Sequence, residues 1–502
     1  MKELTTILPP RQRELEARLD PAWQPETEAP VVGAGTLVYE MGEKVRAIAA
    51  GGIGLVEQLV EAIGLRARLD ERVSVLKRHR PYHESDHILT MAYNVLTGGQ
   101  AIEDIDRLRN DVTFLDAVGA RRLPDPTTAG DFLRRFTPED VTALMEAQND
   151  ARLCVWKAQP SRFRAQAVID VDGTIVPTTS KKKEGADFAY NGTYGYGPLV
   201  ISLANTNEVL YTVNRAANRP SHDDAIPWIE RAVELVTAGG FRRILLRGDT
   251  DFSLTTHFAT WDDAGVQFVF GMDANRAFVS RADALDDQVW TTLDRPHKDA
   301  GTTALRAKRR DYKDTVIRLR GYKTLRLAAE SYAEMPYTTG GRTYRLIVLR
   351  KNISVLRGEE LLGDEIRYHF YVTNVPAAEM SAPEVIFQSN ARCNQENVIK
   401  QLKNGVQAMR MPASDLVANW AYMAIATLAF NIKAWLGLLL PRRAGGAQLL
   451  TMDFRRFIHA LILIPVQIKT GGRRLTFRIL SYTRWVRLIL DGSQRLRQLQ
   501  LA

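Results

Sequence analysis

At 502 residues, with 45% apolar and 25% charged side chains, the chain has ordinary globular composition and room for several domains around a sizeable core. Its two cysteines, Cys154 and Cys393, lie far apart and outside any CxxC pair; this argues against a disulfide scaffold and a cysteine-ligated zinc site and fits a reducing cytoplasm. The net charge of +9 belongs to the tail, where twelve Lys/Arg from Pro441 onward face only Asp453 and Asp491, so a phosphate backbone is a partner to weigh beside a solvated face or an anionic membrane.

In chain order, the charged opening MKELTTILPPRQRELEARLD predicts no secretory leader. Residues 1–160 read as mostly helical: Val45–Leu69 and Ser85–Leu96 carry apolar residues at helical spacing, with the basic run Lys77-Arg78-His79-Arg80 between them. Asp125 precedes a short helix ending in Arg134 and Arg135, and Thr137-Pro138 opens another. Such basic helices suit DNA grooves and equally suit a plain bundle.

The texture changes near Gln166. Ala167–Asp172, Pro198–Ala204, Val209–Val213, Arg243–Leu246 and Val266–Phe270 read as strands, with helices over Asp223–Ala238 and from Ser253. Three strands, a helix, a strand, a helix and a strand is the order of an RNase H-like three-layer α/β/α core, predicted in two parts, 161–275 and 388–440. Between them, 276–387 reads as a β-rich insertion with strands at Thr324–Ala329, Tyr344–Arg350 and Tyr368–Thr373, and 441–502 as a helical basic tail. Leu416–Leu440 is apolar enough to imitate a membrane span, but Asn419, Asn431 and Lys433 would be costly in a bilayer, so a buried helix is expected.

Several carboxylates stand where metal-dependent phosphodiester chemistry would need them. A two-metal site wants hard oxygen ligands converging on a rigid crevice, and strand ends supply that. Asp172 ends the first core strand; Asp170, two residues earlier, shares its sheet face and is the rival or helper. Asp249 follows the fourth strand. Asp251 is read as the cap of the next helix, which leaves Asp249 without a structural task. On the helical segment Ser389–Lys403, Arg392, Glu396 and Lys403 fall within roughly 40° of one another, a stripe that could hold metal and phosphate or be an exposed ion-pair ladder.

The segments DVDGTIVPTT, KEGADFAYNGTYGYGPLVISLANT, RILLRGDTDFSL and NARCNQENVIKQLKNGVQAMR, with DPTTAGDFLRRF and the apolar helix, carry a resemblance. The chain resembles bacterial insertion-sequence transposases of the DDE class, in the group with a Tyr-x2-Arg-x3-Glu-x6-Lys signature, and more closely the family numbered 1380. The resemblance implies a catalytic, metal-binding triad at Asp172, Asp249 and Glu396, and phosphate contacts at Arg392 and Lys403. It also implies a cut-and-paste route by way of a hairpin intermediate, and a homodimer pairing the element's ends. Ser389 stands where the signature has Tyr, which puts that residue's contact in doubt.

The expected cofactor is Mg²⁺, two ions, with Mn²⁺ able to substitute; the expected partners are double-stranded DNA at terminal inverted repeats and at the target. Lys400, Arg134, Arg135, Arg473 and Arg474 are further candidates for DNA contact, and Lys181-Lys182-Lys183 for a clamp or a solvated loop. Trp290 could stack on an unpaired base, though a core position is the simpler reading. No Walker motif is present, so no nucleotide cofactor is expected, nor a membrane. A transposase-derived DNA-binding protein without catalysis is the alternative.

Overall fold

The apolar runs that read as strands all join one sheet. In the computed structural model, which describes residues 2–24, 39, 46–295, 323–357, 360–471, 474–499 and 501, nine strands form it. They are β1 (Ala167–Gly173), β2 (Leu199–Leu203), β3 (Glu208–Val213), β4 (Ile244–Gly248), β5 (Gln267–Met272), β6 (Thr291–Thr292), β7 (Lys323–Thr339), β8 (Arg342–Arg357) and β9 (Glu360–Thr373). Their spatial order is β6-β7-β8-β9-β5-β4-β1-β2-β3. β1, β4 and β5 run parallel; β2 is antiparallel to β1, and β3, antiparallel to β2, runs the same way as β1. Every residue of β2, β3 and β4 is buried, as expected where both faces of a sheet are covered.

The two faces differ in what covers them. Leu245 packs with Val269, Ile347 and Leu349 beneath Val385 and Ile386 of a helix over Ala382–Ala391, whereas its neighbours Ile244 and Leu246 point into the main core. The segment read as an insertion is no separate layer. Its strands pair with β5 through Phe370–Thr373, so they extend the core sheet, and they run well beyond the expected stretches.

Seven helices matter below: α1 (Glu84–Leu96), α2 (Pro138–Lys157), α3 (Ile226–Ala238), α4 (Ala382–Ala391), α5 (Cys393–Asn404), α6 (Leu416–Leu439) and α7 (Val486–Gln498). Asp125 accepts the Thr128 N–H at 2.9 Å to cap Pro126–Leu133, and Thr137 and Asp140 cap α2 reciprocally, as the sequence implies. α3 begins at Ile226, three residues later than expected.

The apolar helix α6 is a core element. By length and composition it could cross a membrane, yet its most apolar stretch is wholly buried among α1, α2 and β3. Its two asparagines and its lysine each have a partner inside the protein. Asn419 brackets Ala413 with hydrogen bonds of 2.8 and 3.0 Å, Asn431 brackets Val209 at 2.9 Å each way, and Lys433 Nζ donates to the Met452 carbonyl at 2.8 Å. Burial pushes the Lys433 ammonium down to about 8.

The tail departs from the helical expectation. After Phe454–Phe457 it forms a hairpin, β10 (Val466–Gly471) with β11 (Arg474–Ile479), before α7. Val466 and Ile468 alternate inward, and Val466 and Gln467 pair with Ile48 and Ala47. α7 packs on the helix Ile53–Ala62. The tail thus shares a core with the N-terminal helices, because alternate burial on a strand outweighs the helical reading of its arginines.

Candidate active site

The strand β1 emerges from the core between β4 and β2. The register that sets Asp170 against Arg247 on the parallel neighbour brings Asp249 level with Asp172 two residues on. Both carboxylates therefore stand at the same end of adjacent strands, where side chains leave the sheet into a crevice. A cleft of about 640 Å³ opens there, lined by Asp172, Asp249, Asp251, Tyr190, Arg215 and Arg219 among others.

Asp249 has a structural task after all. Its Oδ1 accepts the Asp251 N–H at 3.1 Å and caps the single turn Thr250–Phe252; Asp251 caps nothing, and α-helix resumes only at Phe258. The reason is local: Gly248 lets the chain turn so tightly that a Cβ there would lie 2.7 Å from the Cβ of Phe252. This cap aims the second Asp249 oxygen at the cleft.

The third element is broken where one continuous helix was expected. Arg392 ends α4 and starts α5, and its side chain swings between the two aspartates. Its Nη1 lies 3.4 Å from Asp172 Oδ2 and 3.7 Å from Asp249 Oδ2 and makes no hydrogen bond. Glu396, exposed on the first turn of α5, is close enough to raise Asp172 further. Burial is the largest cause, and with Asp249 and Glu396 it pushes the Asp172 carboxyl up to about 7 against the pull of Arg392. Asp249 is raised too, chiefly by burial, with Arg392 opposing.

Lys403 does not reach open cleft. Half-buried, it donates to Thr174 Oγ1 at 2.7 Å and to the Ile175 carbonyl at 2.8 Å, pinning the loop that leaves Asp172. Lys183 is likewise occupied, with the carbonyls of Met411 and Ala413. Asp170, the expected rival, is a structural residue: 1% exposed, it holds Arg247 through two hydrogen bonds of 2.7 and 2.8 Å. Arg247 in turn donates to the Gln388 carbonyl at 3.1 Å and its Oε1 at 3.0 Å, so this pair anchors the end of α4 from which Arg392 extends.

Sequence reasoning missed three supports. Gln395, buried beside Glu396, donates to the Val200 carbonyl at 3.0 Å and pairs with the Ser202 hydroxyl, docking α5 on β2. Arg215 holds the far rim through the carbonyls of Gly197, Ser221 and Asp223. Arg247 is the third. Its place directly before Gly248-Asp249, on an otherwise apolar strand, was the available signal.

The other candidates lie elsewhere. Lys400 is exposed on α5; Arg134 pairs with Asp131 at 2.5 Å; Arg135 joins Lys77, Arg78 and Arg80 around a separate cleft of about 360 Å³. Arg474 is exposed on β11, and Arg473 lies outside the described residues. Trp290 is half-buried with the Arg350 guanidinium 4.2 Å from its ring centre, so one face is already covered.

Carboxylates at adjacent strand ends, with a guanidinium resting between them, mark the cleft of a mixed α/β protein. The chain belongs to the family described as transposase DDE domain group 1, whose model matches residues 40–501. A solved structure with some likeness, described as a piggyBac transposase synaptic complex with hairpin DNA, is 10% identical, covers 82% of each chain and gives a TM-score of 0.35. No curated protein matches the sequence.

Proposed function

We propose that the chain is a bacterial insertion-sequence transposase, of the family numbered 1380, that binds terminal inverted repeats and cuts and joins DNA at Asp172, Asp249 and Glu396. The sheet order β3-β2-β1-β4-β5, with only β2 reversed, supports reading the core as RNase H-like. One observation carries the site: Arg392 sits in the gap between two half-buried aspartates without hydrogen-bonding either. Two carboxylates so placed, one pushed up to about 7, leave negative charge that a single guanidinium does not satisfy.

The donor set fits divalent cations of the Mg²⁺ or Mn²⁺ type, which prefer carboxylate and water oxygens. Asp172 and Asp249 would hold them and Glu396 complete the set. When bound, such ions supply an activated water and stabilise the departing 3′ oxygen. Asp172 must shed its proton to act as a ligand, so its raised affinity for protons ties site assembly to pH. Arg392, displaced from the gap, is within reach to neutralise a phosphate. Lys403 keeps the loop after β1 closed against α5 and so fixes where the Asp172 side chain points. A homodimer pairing two DNA ends and a cut-and-paste route complete the proposal.

The test is strand cleavage of end-containing DNA with Mg²⁺ or Mn²⁺. Wild-type protein cuts; Asp172→Asn, Asp249→Asn and Glu396→Gln each bind the ends and do not cut. Cleavage retained by any one of them would remove that residue from the site. A wild-type protein that binds but never cuts would establish a DNA-binding protein without catalysis.

A further inference from the structure

A second group of metal-ligand side chains lies outside the cleft, where the loop 73–83 joins the helix Leu65–Arg72 to α1. Asp70, His83 and Glu84 bring one ligand atom each within 4.8 Å of one another. His79 adds a second imidazole: its Nε2 is 3.3 Å from Glu84 Oε2, and its ring stacks on His83 with centroids 5.1 Å apart.

The burial of Glu84 makes this more than a surface cluster. The residue is 1% exposed, and its Oε1 accepts the Leu76 N–H at 3.0 Å. Its Oε2 lies 3.3 Å from Nε2 of the half-exposed His79 and accepts no backbone N–H among the described residues. Asp70 is held in place by Ser85, whose N–H and hydroxyl donate at 2.8 and 2.9 Å, and each Asp70 oxygen keeps a further lone pair. Asp70, His79 and His83 are exposed, so an ion can enter from solvent.

We infer that Asp70, His79, His83 and Glu84 form a structural binding site for a transition-metal dication of the zinc class. Two imidazoles and two carboxylates make a four-ligand set that suits Zn²⁺, whereas Mg²⁺ favours oxygen alone. The ion ties the end of one helix, a loop and the start of α1 into one unit. That loop carries Lys77, Arg78 and Arg80, which with Arg135 surround the second cleft, so the ion fixes the basic rim of that cleft.

The inference stands apart from the reading of the DNA-cutting site, and its test is arranged accordingly. Full-length protein carrying Asp172→Asn and Asp249→Asn is dialysed against Zn²⁺ and bound metal is counted; Co²⁺ titration followed by visible absorption reports the ligand geometry. The expected result is one equivalent retained in this background, with affinity lowered about tenfold or more by His83→Ala and by Asp70→Asn. Asp70→Asn keeps an oxygen for the Ser85 N–H, so it decides the matter should His83→Ala fail to fold. No Zn²⁺ above the buffer level, or equal binding by the folded variants, overturns the site.

Discussion

Two carboxylates withdrawn from solvent, Glu208 wholly and Asp172 in large part, receive opposite treatment. Glu208, fully buried at the start of β3, accepts Arg152 Nε at 3.0 Å, the indole N–H groups of Trp156 and Trp435 at 3.0 and 2.9 Å, and the Thr206 hydroxyl at 2.6 Å. Asp172, on the neighbouring part of the same sheet, has one cation at 3.4 Å with no hydrogen bond between them. Where every lone pair is occupied, the charge belongs to the fold. Where a desolvated carboxylate is left short of partners, it is kept for something that arrives later.

Asp170 sharpens the contrast, being two residues from Asp172 on the same strand and face yet held by Arg247 at both oxygens. The largest effect should therefore come from the satisfied network. Glu208→Ala strands Arg152 in the core and should cost about 3–5 kcal/mol in denaturant unfolding. A loss near zero would mean Arg152 is solvated by other means. Asp170→Asn keeps one acceptor for Arg247 and should cost about 2–3 kcal/mol, and cleavage should fall with it because the end of α4 loosens; a variant that loses stability alone would detach this pair from the site.

Asp172→Asn should do the reverse. A carboxyl whose folded pKa is raised to about 7 binds its proton more tightly folded than unfolded, so without metal the wild type loses stability as pH climbs from its ordinary value, near 4, through about 7. The neutral amide escapes that loss. At pH 8 the metal-free variant should be more stable than wild type by on the order of 1–2 kcal/mol, reduced from the full linkage by the stranding of Arg392. The difference should vanish near pH 4, and divalent cation should reverse it by stabilising wild type alone. Thermal melts across pH, with and without Mg²⁺, measure this; a variant equally or less stable at pH 8 contradicts the raised carboxyl.

The smallest effect concerns the two arginines after Phe132. Arg135→Ala should lower the slope of log affinity for DNA against log salt by about one, and Arg134→Ala by less, since Arg134 already pairs with Asp131. Equal slopes would place both arginines away from the phosphates.

Much of this was legible in the sequence because strand ends, apolar runs and turn residues act locally. The strands read over Ala167–Asp172 and Arg243–Leu246 are found at Ala167–Gly173, which holds Asp172 at its end, and at Ile244–Gly248, which Asp249 follows. What stayed hidden depends on partners far along the chain. The occupation of Asp170 rests on Arg247, 77 positions away, and nothing near Asp170 announces it. The cap made by Asp249 depends on how closely Phe252 folds back over Gly248. The break at Arg392 interrupts a segment whose side-chain periodicity is helical throughout, so only the packing of α4 and α5 on different strands reveals it. The tail misled because its arginines concealed the alternate burial of Val466 and Ile468.

The long strands β7, β8 and β9 have a mechanical corollary. Of β9's fourteen residues only Phe370–Thr373 are bonded to β5, so the three-stranded ribbon is a cantilever clamped at its root. At that clamp Tyr371 pairs with Gly271, and a Cβ on Gly271 would come within 3.2 Å of the Thr250 nitrogen and 3.4 Å of the Asp249 carbonyl carbon. Load applied to the ribbon's free end thus has a short lever path to the backbone that carries Asp249.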